Sequence, residues 1–249
     1  MRIAVIADVH GNQVALEAVL AHIRTVAPDL IVNLGDLVSG PFDPAGSADA
    51  QMALGCPTLA GNHERQILEG ATGASDAFAR PLLSNAHLDW IAGLPATLTL
   101  MDGDIFACHG SPAGGDNEYL LDDVSSGRLT LDGNDAIAAR LAGIGEASLV
   151  LCGHSHTPRI VSVDVGGRLV VVINPGSVGQ PGYRDEMPPH VVEAGTPHAR
   201  YAIVEKLAAG WAAELRAVPY EYEVAALQAE AAGRPAVAHV VRTGRMPAV

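Results

Sequence analysis

A short apolar run near the start of the chain ends at a carboxylate and an imidazole, in the stretch Ile3-Ala4-Val5-Ile6-Ala7-Asp8-Val9-His10-Gly11-Asn12. Such a run predicts a buried strand. Side chains alternate along an extended chain, so Asp8 and His10 are expected to point to the same side, with Val9 opposite. Both groups bind divalent cations. The stretch predicts a strand that presents two metal-ligand groups, although it also fits a strand whose polar end faces solvent and caps the next helix.

The composition is that of a globular protein with an extensive apolar core. The chain has 249 residues, of which 49% are hydrophobic and 17% are charged. This length is enough for one large domain or two small ones. Because the sequence contains no internal repeat, low-complexity block or linker, we expect a single domain over residues 1–249, with residues 235–249 as a weakly specified tail.

Charge and cysteine content exclude several classes of protein. The net charge of −13 disfavours binding to long nucleic acid or to an anionic membrane surface. Cys56, Cys108 and Cys152 are widely spaced, which predicts neither a disulfide framework nor a cysteine-based zinc site. No stretch approaches the roughly 18 apolar residues of a membrane span, and the apolar run before Asp8 is too short for a signal peptide. We therefore expect a cytoplasmic protein, either monomeric or a homo-oligomer.

The first strands and helices form a βαβ pattern. Residues 12–26 carry apolar residues at a helical spacing, and residues 30–34 are a second short apolar strand that ends near Asp36. A βαβ unit favours a parallel pair of strands, which places Asp8 and Asp36 at the same, carboxyl-terminal edge of the sheet. Ligands of such sheets bind at that edge.

The remaining elements follow from the same patterns, except in three segments. Residues 70–79 are small and irregular and residues 116–130 are polar and weakly patterned, so both are candidate mobile loops over the site. Residues 183–199 are expected to be a loop. Further strands are expected at 57–60, 98–101, 105–108, 149–152, 159–165, 168–174, 201–207 and 211–218, and further helices at 45–54, 84–92, 132–141 and 224–232.

Five predicted apolar strands end in polar side chains of the metal-ligand type. Each ending alone has an ordinary structural explanation, such as a helix cap or a satisfied core histidine, but five in succession would require repeated accident. If Asp36 bridges two cations, each cation has four protein ligands and open positions for water and substrate, as in a dinuclear hydrolytic centre. The endings are Asp8 with His10, Asp36, Asn62 with His63, His109, and His154 with His156.

The order of these motifs resembles the calcineurin-like metallophosphoesterase family, whose pattern is D-x-H, G-D, G-N-H-[DE], H and G-H-x-H. The resemblance covers residues 1 to about 215. It implies an α/β (α+β) fold, a four-layer αββα sandwich of two mixed β-sheets flanked by helices. The matching motifs here are Asp8-Val9-His10, Gly35-Asp36, Gly61-Asn62-His63-Glu64, His109 and Gly153-His154-Ser155-His156. The resemblance also implies one metal held by Asp8, His10, Asp36 and His156, and another held by Asp36, Asn62, His109 and His154.

One segment departs from the protein-phosphatase branch of that family. That branch has Asp-Arg shortly after the bridging aspartate, whereas Leu37-Val38-Ser39-Gly40 follows Asp36 here. A phosphoprotein substrate is therefore not expected, and the sequence does not indicate which residue would orient His63. The small size and the turn Asn174-Pro175-Gly176-Ser177 are instead similar to the compact bacterial and archaeal phosphodiesterase branch.

These observations predict a metal-dependent phosphoesterase, and more specifically a phosphodiesterase that hydrolyses a small phosphodiester by in-line attack of a metal-bridging hydroxide. His63, which is adjacent to Asn62 but not itself a ligand, is expected to protonate the leaving oxygen or to stabilise charge there. The expected cofactors are two divalent ions, of which manganese is favoured and iron, nickel, cobalt and zinc also suit nitrogen and oxygen ligands.

Two alternatives remain from the sequence. The protein could be a dinucleoside polyphosphate hydrolase or a phosphomonoesterase, with the same metals and a different pocket. It could also be a non-catalytic metal-binding scaffold of the same fold. The presence of His63 together with every expected ligand favours catalysis over the scaffold.

Overall fold

The structure is a computed structural model that describes residues 1–70 and 72–248. The strands are β1 (Arg2–Ile6), β2 (Leu30–Asn33), β3 (Thr97–Leu100), β4 (Ile105–Cys108), β5 (Asp122–Asp123), β6 (Thr130–Leu131), β7 (Leu149–Leu151), β8 (Arg159–Val165), β9 (Arg168–Asn174), β10 (Gly182–Glu186), β11 (Pro189–Glu193), β12 (Ala199–Leu207) and β13 (Gly210–Val218). The helices are α1 (Gln13–Val26), α2 (Pro44–Leu54), α3 (Asn62–Glu69), α4 (Ala74–Ala79), α5 (Asn85–Ala92), α6 (Asn134–Arg140), α7 (Tyr222–Ala231) and α8 (Pro235–Thr243).

Two mixed sheets form the centre of the fold. The first sheet has the order β13-β12-β1-β2, in which β1 is parallel to β2 and antiparallel to β12. The second sheet has the order β3-β4-β7-β9-β8, in which β4, β7 and β9 are parallel and the two edge strands are antiparallel. The predicted parallel pairing of the first two strands is confirmed, so the segments that follow β1 and β2 lie side by side.

The alternation of side chains along β1 explains how the layers stack. Ile3 and Val5 face the second sheet, where they pack in one apolar cluster with Leu149 and Leu151 of β7. Ala4 and the other alternate residues pack on the opposite face against α1. Because α6 covers the outer face of the second sheet through a further apolar cluster, the order of layers is helix, sheet, sheet, helix. The predicted four-layer αββα sandwich is confirmed.

Two segments contain more regular structure than their sequences indicate. Residues 183–199 were expected to be a loop, but β10 and β11 form an antiparallel hairpin in which Tyr183 pairs with Val192. Pro189 is the first residue of β11, a position where a strand tolerates proline although it has no backbone N–H to donate. In the segment 70–79, of which position 71 lies outside the described residues, α4 forms after Gly73. A helix this short leaves no periodic signal in the sequence.

Two further predictions need correction. The expected weakly specified tail instead contains α8, which begins at Pro235, ends at Thr243 before Gly244, and packs against α7 through small apolar side chains. Proline favours the first position of a helix, and the burial of Ala238 comes from tertiary contact rather than from local pattern. The strand expected at 57–60 is only an isolated bridge between Thr58 and Asn33. Within the described ranges, no helix is long and apolar enough to cross a bilayer.

Candidate metal centre

The predicted ligands lie in the segments that follow the central strands, at one edge of the sandwich. The backbone after β1 stays hydrogen-bonded to the backbone after β2, since Asp8 N donates to Gly35 O at 3.0 Å and His10 N donates to Asp36 O at 2.9 Å. The segments after β4 and β7 and the first turn of α3 approach the same edge. The topology of the two sheets therefore brings together side chains that are far apart in the sequence.

Five of the predicted ligands have a left-handed backbone, which corrects the reason given for their convergence. Strand β1 ends at Ile6, so Asp8 and His10 do not alternate along an extended chain. Each instead occupies a tight turn, and each such turn costs a non-glycine residue about 1–2 kcal/mol. The strain is maintained by the backbone hydrogen bonds around it. The φ angles are 56° for Asp8, 51° for His10, 55° for Asp36, 66° for His154 and 53° for His156.

The first cluster contains two carboxylates and two imidazoles. Candidate ligand atoms of Asp8, His10, Asp36 and His156 all lie within 4.8 Å of one another, and the four residues are buried. His10 Nε2 is 3.8 Å from Asp36 Oδ2, and His156 Nε2 is 3.5 Å from Asp8 Oδ1. This is the group of residues that the sequence predicts for one metal.

The two histidines in this cluster both direct Nε2 toward the place where a cation would bind. His10 Nδ1 donates to Ser39 O at 2.8 Å and His156 Nδ1 donates to Gln180 O at 2.7 Å, because a carbonyl can only accept. With both Nδ1 atoms engaged in this way, the two Nε2 atoms face each other 3.0 Å apart. Asp8 Oδ2 is also buried without a hydrogen-bond partner among the described residues. A cation bound by these atoms would satisfy all three of them.

The second cluster shares Asp36 with the first. Candidate ligand atoms of Asp36, His109 and His154 lie within 4.8 Å of one another. His109 Nε2 is 3.2 Å from Asp36 Oδ2 and 3.1 Å from Asn62 Oδ1, while its Nδ1 donates to Leu34 O at 2.7 Å. The two clusters therefore contain six of the seven predicted ligands, with Asp36 shared, and the seventh, Asn62, contacts the second cluster through His109.

Burial and neighbouring charge set the protonation of these groups. Burial lowers the pKa of His10 to about 3 and the pKa of His154 to about 4, with neighbouring histidines adding to the effect. Burial also disfavours a charged His109, but Asp36 and Asp8 outweigh it and raise the pKa of His109 to about 10. Burial would raise the pKa of Asp36, but His109 and His63 hold it well below its usual value. Neutral His10 and His154 and an ionised Asp36 are the protonation states that metal binding requires, whereas His109 would have to lose a proton when a metal binds.

Glu64, the last residue of the motif Gly61-Asn62-His63-Glu64, supports the centre through backbone hydrogen bonds, a role that the sequence did not indicate. Its fully buried carboxylate accepts hydrogen bonds from the backbone N–H groups of Asp36, Leu37 and Gly61, each at 2.8 Å. A Cβ at position 61 would overlap the Asp36 carboxylate, which explains the glycine before Asn62. Burial, together with the charge of Asp36, raises the pKa of Glu64 to about 7. Glu64 thus ties the first turn of α3 to the segment that carries Asp36.

His63 lies beside the two clusters without belonging to either. Its backbone N–H donates to Asp36 Oδ1 at 3.1 Å, and its ring is edge-on to His10 with the centroids 5.3 Å apart. Its Nδ1 donates to Asp76 Oδ1 at 2.8 Å. Burial would lower the pKa of His63, but Asp36 and Asp76 outweigh it and raise the pKa to about 9. Sequence patterns could not identify Asp76, because it lies in the segment that was expected to be irregular.

A cavity of about 1100 Å³ opens onto both clusters and His63. Tyr119 and Tyr183 form an aromatic wall, and their hydroxyl oxygens are 2.7 Å apart. The Tyr119 ring stacks on His154 with the centroids 4.8 Å apart, and the edge of the Tyr183 ring packs on His156 at the same distance. Residues of both segments predicted as loops over the site, 70–79 and 116–130, line this cavity.

A four-layer αββα sandwich with carboxylates and imidazoles gathered beyond the ends of its central strands defines a metal-dependent phosphoesterase. Residues 1–196 match the family model described as the calcineurin-like phosphoesterase superfamily domain, and the chain belongs to this superfamily. The protein is therefore a hydrolase of a family that uses divalent metal ions, and its Asp and His clusters provide suitable donors.

Three individual proteins are similar to this chain. A metallophosphoesterase from Sphaerobacter thermophilus is 27% identical and has a TM-score of 0.75, with 98% of this chain and 99% of that chain covered. The hypothetical protein PH1004 from Pyrococcus horikoshii OT3 shares the fold, with 19% identity, a TM-score of 0.76 and 99% of both chains covered. The uncharacterized protein MJ0912 from Methanocaldococcus jannaschii is 27% identical over 203 residues, which are 72% of this chain and 76% of that protein.

Proposed function

We propose that the protein is a phosphodiesterase that hydrolyses a small, singly charged phosphodiester. The charge of the cavity wall supports this choice. Carboxylates outnumber guanidinium groups there, and Arg140 is already paired with Asp132 at 2.8 Å. A diester carries one negative charge, whereas a monoester or a dinucleoside polyphosphate carries more and is repelled more strongly by such a wall. Outside the predicted ligands, the wall includes the acids Glu118, Asp122, Asp123, Asp185 and Glu186 and the bases Arg140, Arg184 and Arg234.

The proposal includes a centre of two divalent metal ions. Asp8, His10 and His156 would hold one ion, His109 and His154 would hold the other with Asn62, and Asp36 would bridge them. We favour manganese, although nitrogen and oxygen donors also suit iron, nickel, cobalt and zinc. When bound, such ions supply an activated water as the nucleophile and withdraw charge from the phosphoryl oxygens.

His63 would act as the proton donor to the leaving oxygen. Its Nδ1 is engaged by Asp76, so Nε2 is the ring nitrogen that can reach a substrate in the cavity. In the metal-free site the pKa of His63 is raised to about 9, and Asp76, which is not a predicted ligand, would continue to favour the protonated imidazole that donates to the departing alkoxide. The same positive charge would also attract the single negative charge of a phosphodiester.

Hydrolysis of three substrates by the Mn²⁺-loaded protein tests the proposal. We expect kcat/KM for bis-p-nitrophenyl phosphate to exceed those for p-nitrophenyl phosphate and a dinucleoside tetraphosphate by at least tenfold, and we expect Asp36→Asn to abolish all turnover. Preference for the monoester or the tetraphosphate would refute the diester assignment. Binding of Mn²⁺ without hydrolysis of any substrate would favour a scaffold instead.

A further inference from the structure

We infer that Ser39 and Asp76 form a positioning pair that fixes the ring of His63 for its role in hydrolysis. This inference rests on the proposed function, because it assigns a purpose to the orientation of the proposed proton donor. Neither residue is a predicted metal ligand, and no pattern in the sequence singles them out. The contacts that carry the inference join three segments, namely the one after β2, the first turn of α3 and helix α4.

The ring of His63 has one strong hydrogen bond that selects its orientation. The backbone of His63 is fixed, because it is the second residue of α3 and its N–H donates to Asp36. The side chain, however, is 24% exposed and could adopt other staggered rotamers. The bond from Nδ1 to Asp76 at 2.8 Å favours the one rotamer and the one tautomer that leave Nε2 for a substrate.

Asp76 is itself held in place more firmly than a surface carboxylate would be. It is only 2% exposed, and its Oδ1 accepts a second hydrogen bond, from Ser39 Oγ at 2.6 Å. Burying a carboxylate is costly unless hydrogen bonds compensate it, and both compensating donors here belong to the neighbourhood of the metal centre. A short helix such as α4 gains little stability from a buried aspartate, so the placement is better explained by function than by folding.

Ser39 connects this arrangement to the metal side of the site. Its carbonyl oxygen accepts from His10 Nδ1 at 2.8 Å while its hydroxyl donates to Asp76, and the residue is fully buried. One residue therefore sets the tautomer of a predicted ligand and the position of the carboxylate that orients His63. The predicted consequence is that the orientation of His63 depends on both Ser39 and Asp76.

A double-mutant cycle on the Mn²⁺-loaded protein separates positioning from a general structural role. We expect Asp76→Asn to lower kcat for bis-p-nitrophenyl phosphate by about 10- to 100-fold with KM changed less than twofold. Ser39→Ala should lower kcat by at least threefold. In the His63→Ala background, Asp76→Asn should have no further effect, because its only route to the reaction has been removed. The matched control is Asp49→Asn, which removes the charge of the acceptor in a 3.0 Å bond from His87 outside the cavity and should leave kcat within twofold.

A second measurement does not depend on turnover. In the metal-free protein, ¹⁵N NMR of the His63 ring should show a Nδ1 proton protected from solvent exchange, and Asp76→Asn should accelerate that exchange at least tenfold. Unchanged exchange, or losses in kcat that multiply in the double variant, would overturn the inference. If the wild-type protein hydrolyses no diester, the proposed function fails, and the NMR result alone then decides whether Asp76 positions His63.

Discussion

Replacing Glu64 with glutamine gives a direct test of how the metal centre is supported. The carboxylate accepts three backbone hydrogen bonds, with Asp36 N and Gly61 N on Oε2 and Leu37 N on Oε1. The amide of Glu64→Gln has one acceptor oxygen, so it keeps two of these bonds at best and turns an NH₂ group toward the third buried N–H.

The expected loss in the free energy of unfolding follows from these contacts. Losing one charge-assisted bond costs about 1.5–3 kcal/mol, and the two retained bonds weaken because their acceptor is now neutral. Against this, glutamine removes the repulsion between the Glu64 and Asp36 carboxylates, which contributes to the raised pKa of Glu64, about 7. We therefore expect a net loss of about 2–4 kcal/mol.

Urea denaturation of the metal-free protein, followed by tryptophan fluorescence and circular dichroism, measures this loss. The matched control is Glu69→Gln on the same helix, where an exposed carboxylate pairs with Arg65 at 3.3 Å and its removal should cost at most about 0.5 kcal/mol. A loss below about 1 kcal/mol for Glu64→Gln would refute the support proposed for the metal centre, because a buried N–H would then lack an acceptor at almost no cost in stability.

Three further predictions concern the ligands, the cysteines and a close backbone contact. Because Asp8 belongs only to the first cluster, Asp8→Asn should weaken one of two Mn²⁺ sites in a calorimetric titration by at least tenfold, whereas equal weakening of both sites would contradict the division of ligands. Burial raises the pKa of Cys108 to about 12 and that of Cys152 well above its usual value, so neither thiol of the native protein should react with Ellman's reagent at pH 8, whereas all three cysteines should react in urea. Because the folded-state pKa of Cys108 lies above its unfolded value, the buried thiol contributes its full stability below about pH 9 and loses that contribution as the pH rises toward 12. Urea denaturation at a series of alkaline pH values would measure this loss. A Cβ at Gly179 would overlap the Val9 carbonyl oxygen, so Gly179→Ala should lower the free energy of unfolding by about 1–3 kcal/mol or more, while the control Gly133→Ala, which meets no atom within 4 Å, should change it by less than about 0.5 kcal/mol.

The left-handed turns at five predicted ligands have a consequence for engineering. A residue such as Asp36 holds a strained backbone because hydrogen bonds from neighbouring segments compensate it. Mutations that relax such a turn can stabilise the fold and at the same time move a donor atom away from the cluster. Stability and metal affinity are therefore expected to change in opposite directions at these positions.

Much of the site could be predicted from the sequence because its donors follow apolar runs. His109 comes directly after β4, and Asp8 and Asp36 follow within two or three residues of the ends of β1 and β2, whose parallel pairing brings those ends to one edge of a sheet. The reason proposed for the pairing of Asp8 and His10 was wrong, since both lie in turns beyond the strand. Both side chains nevertheless lie in the first cluster, because the backbone hydrogen bonds to the segment after β2 fix the turns that carry them.

The sequence by itself determined the first parallel βαβ unit and the set of donor residues, because apolar periodicity and the spacing of carboxylates and imidazoles are local properties of the chain. The four-layer order of the fold was expected only because the motifs resemble those of a known family. Only the tertiary structure decided which residues support those donors. Asp76 meets His63 because α4 packs against α3, and Tyr183 reaches His156 because β10 and β11 form a hairpin. Such partners are set by the packing of segments with weak local patterns, and no spacing along the chain records which of their side chains will touch.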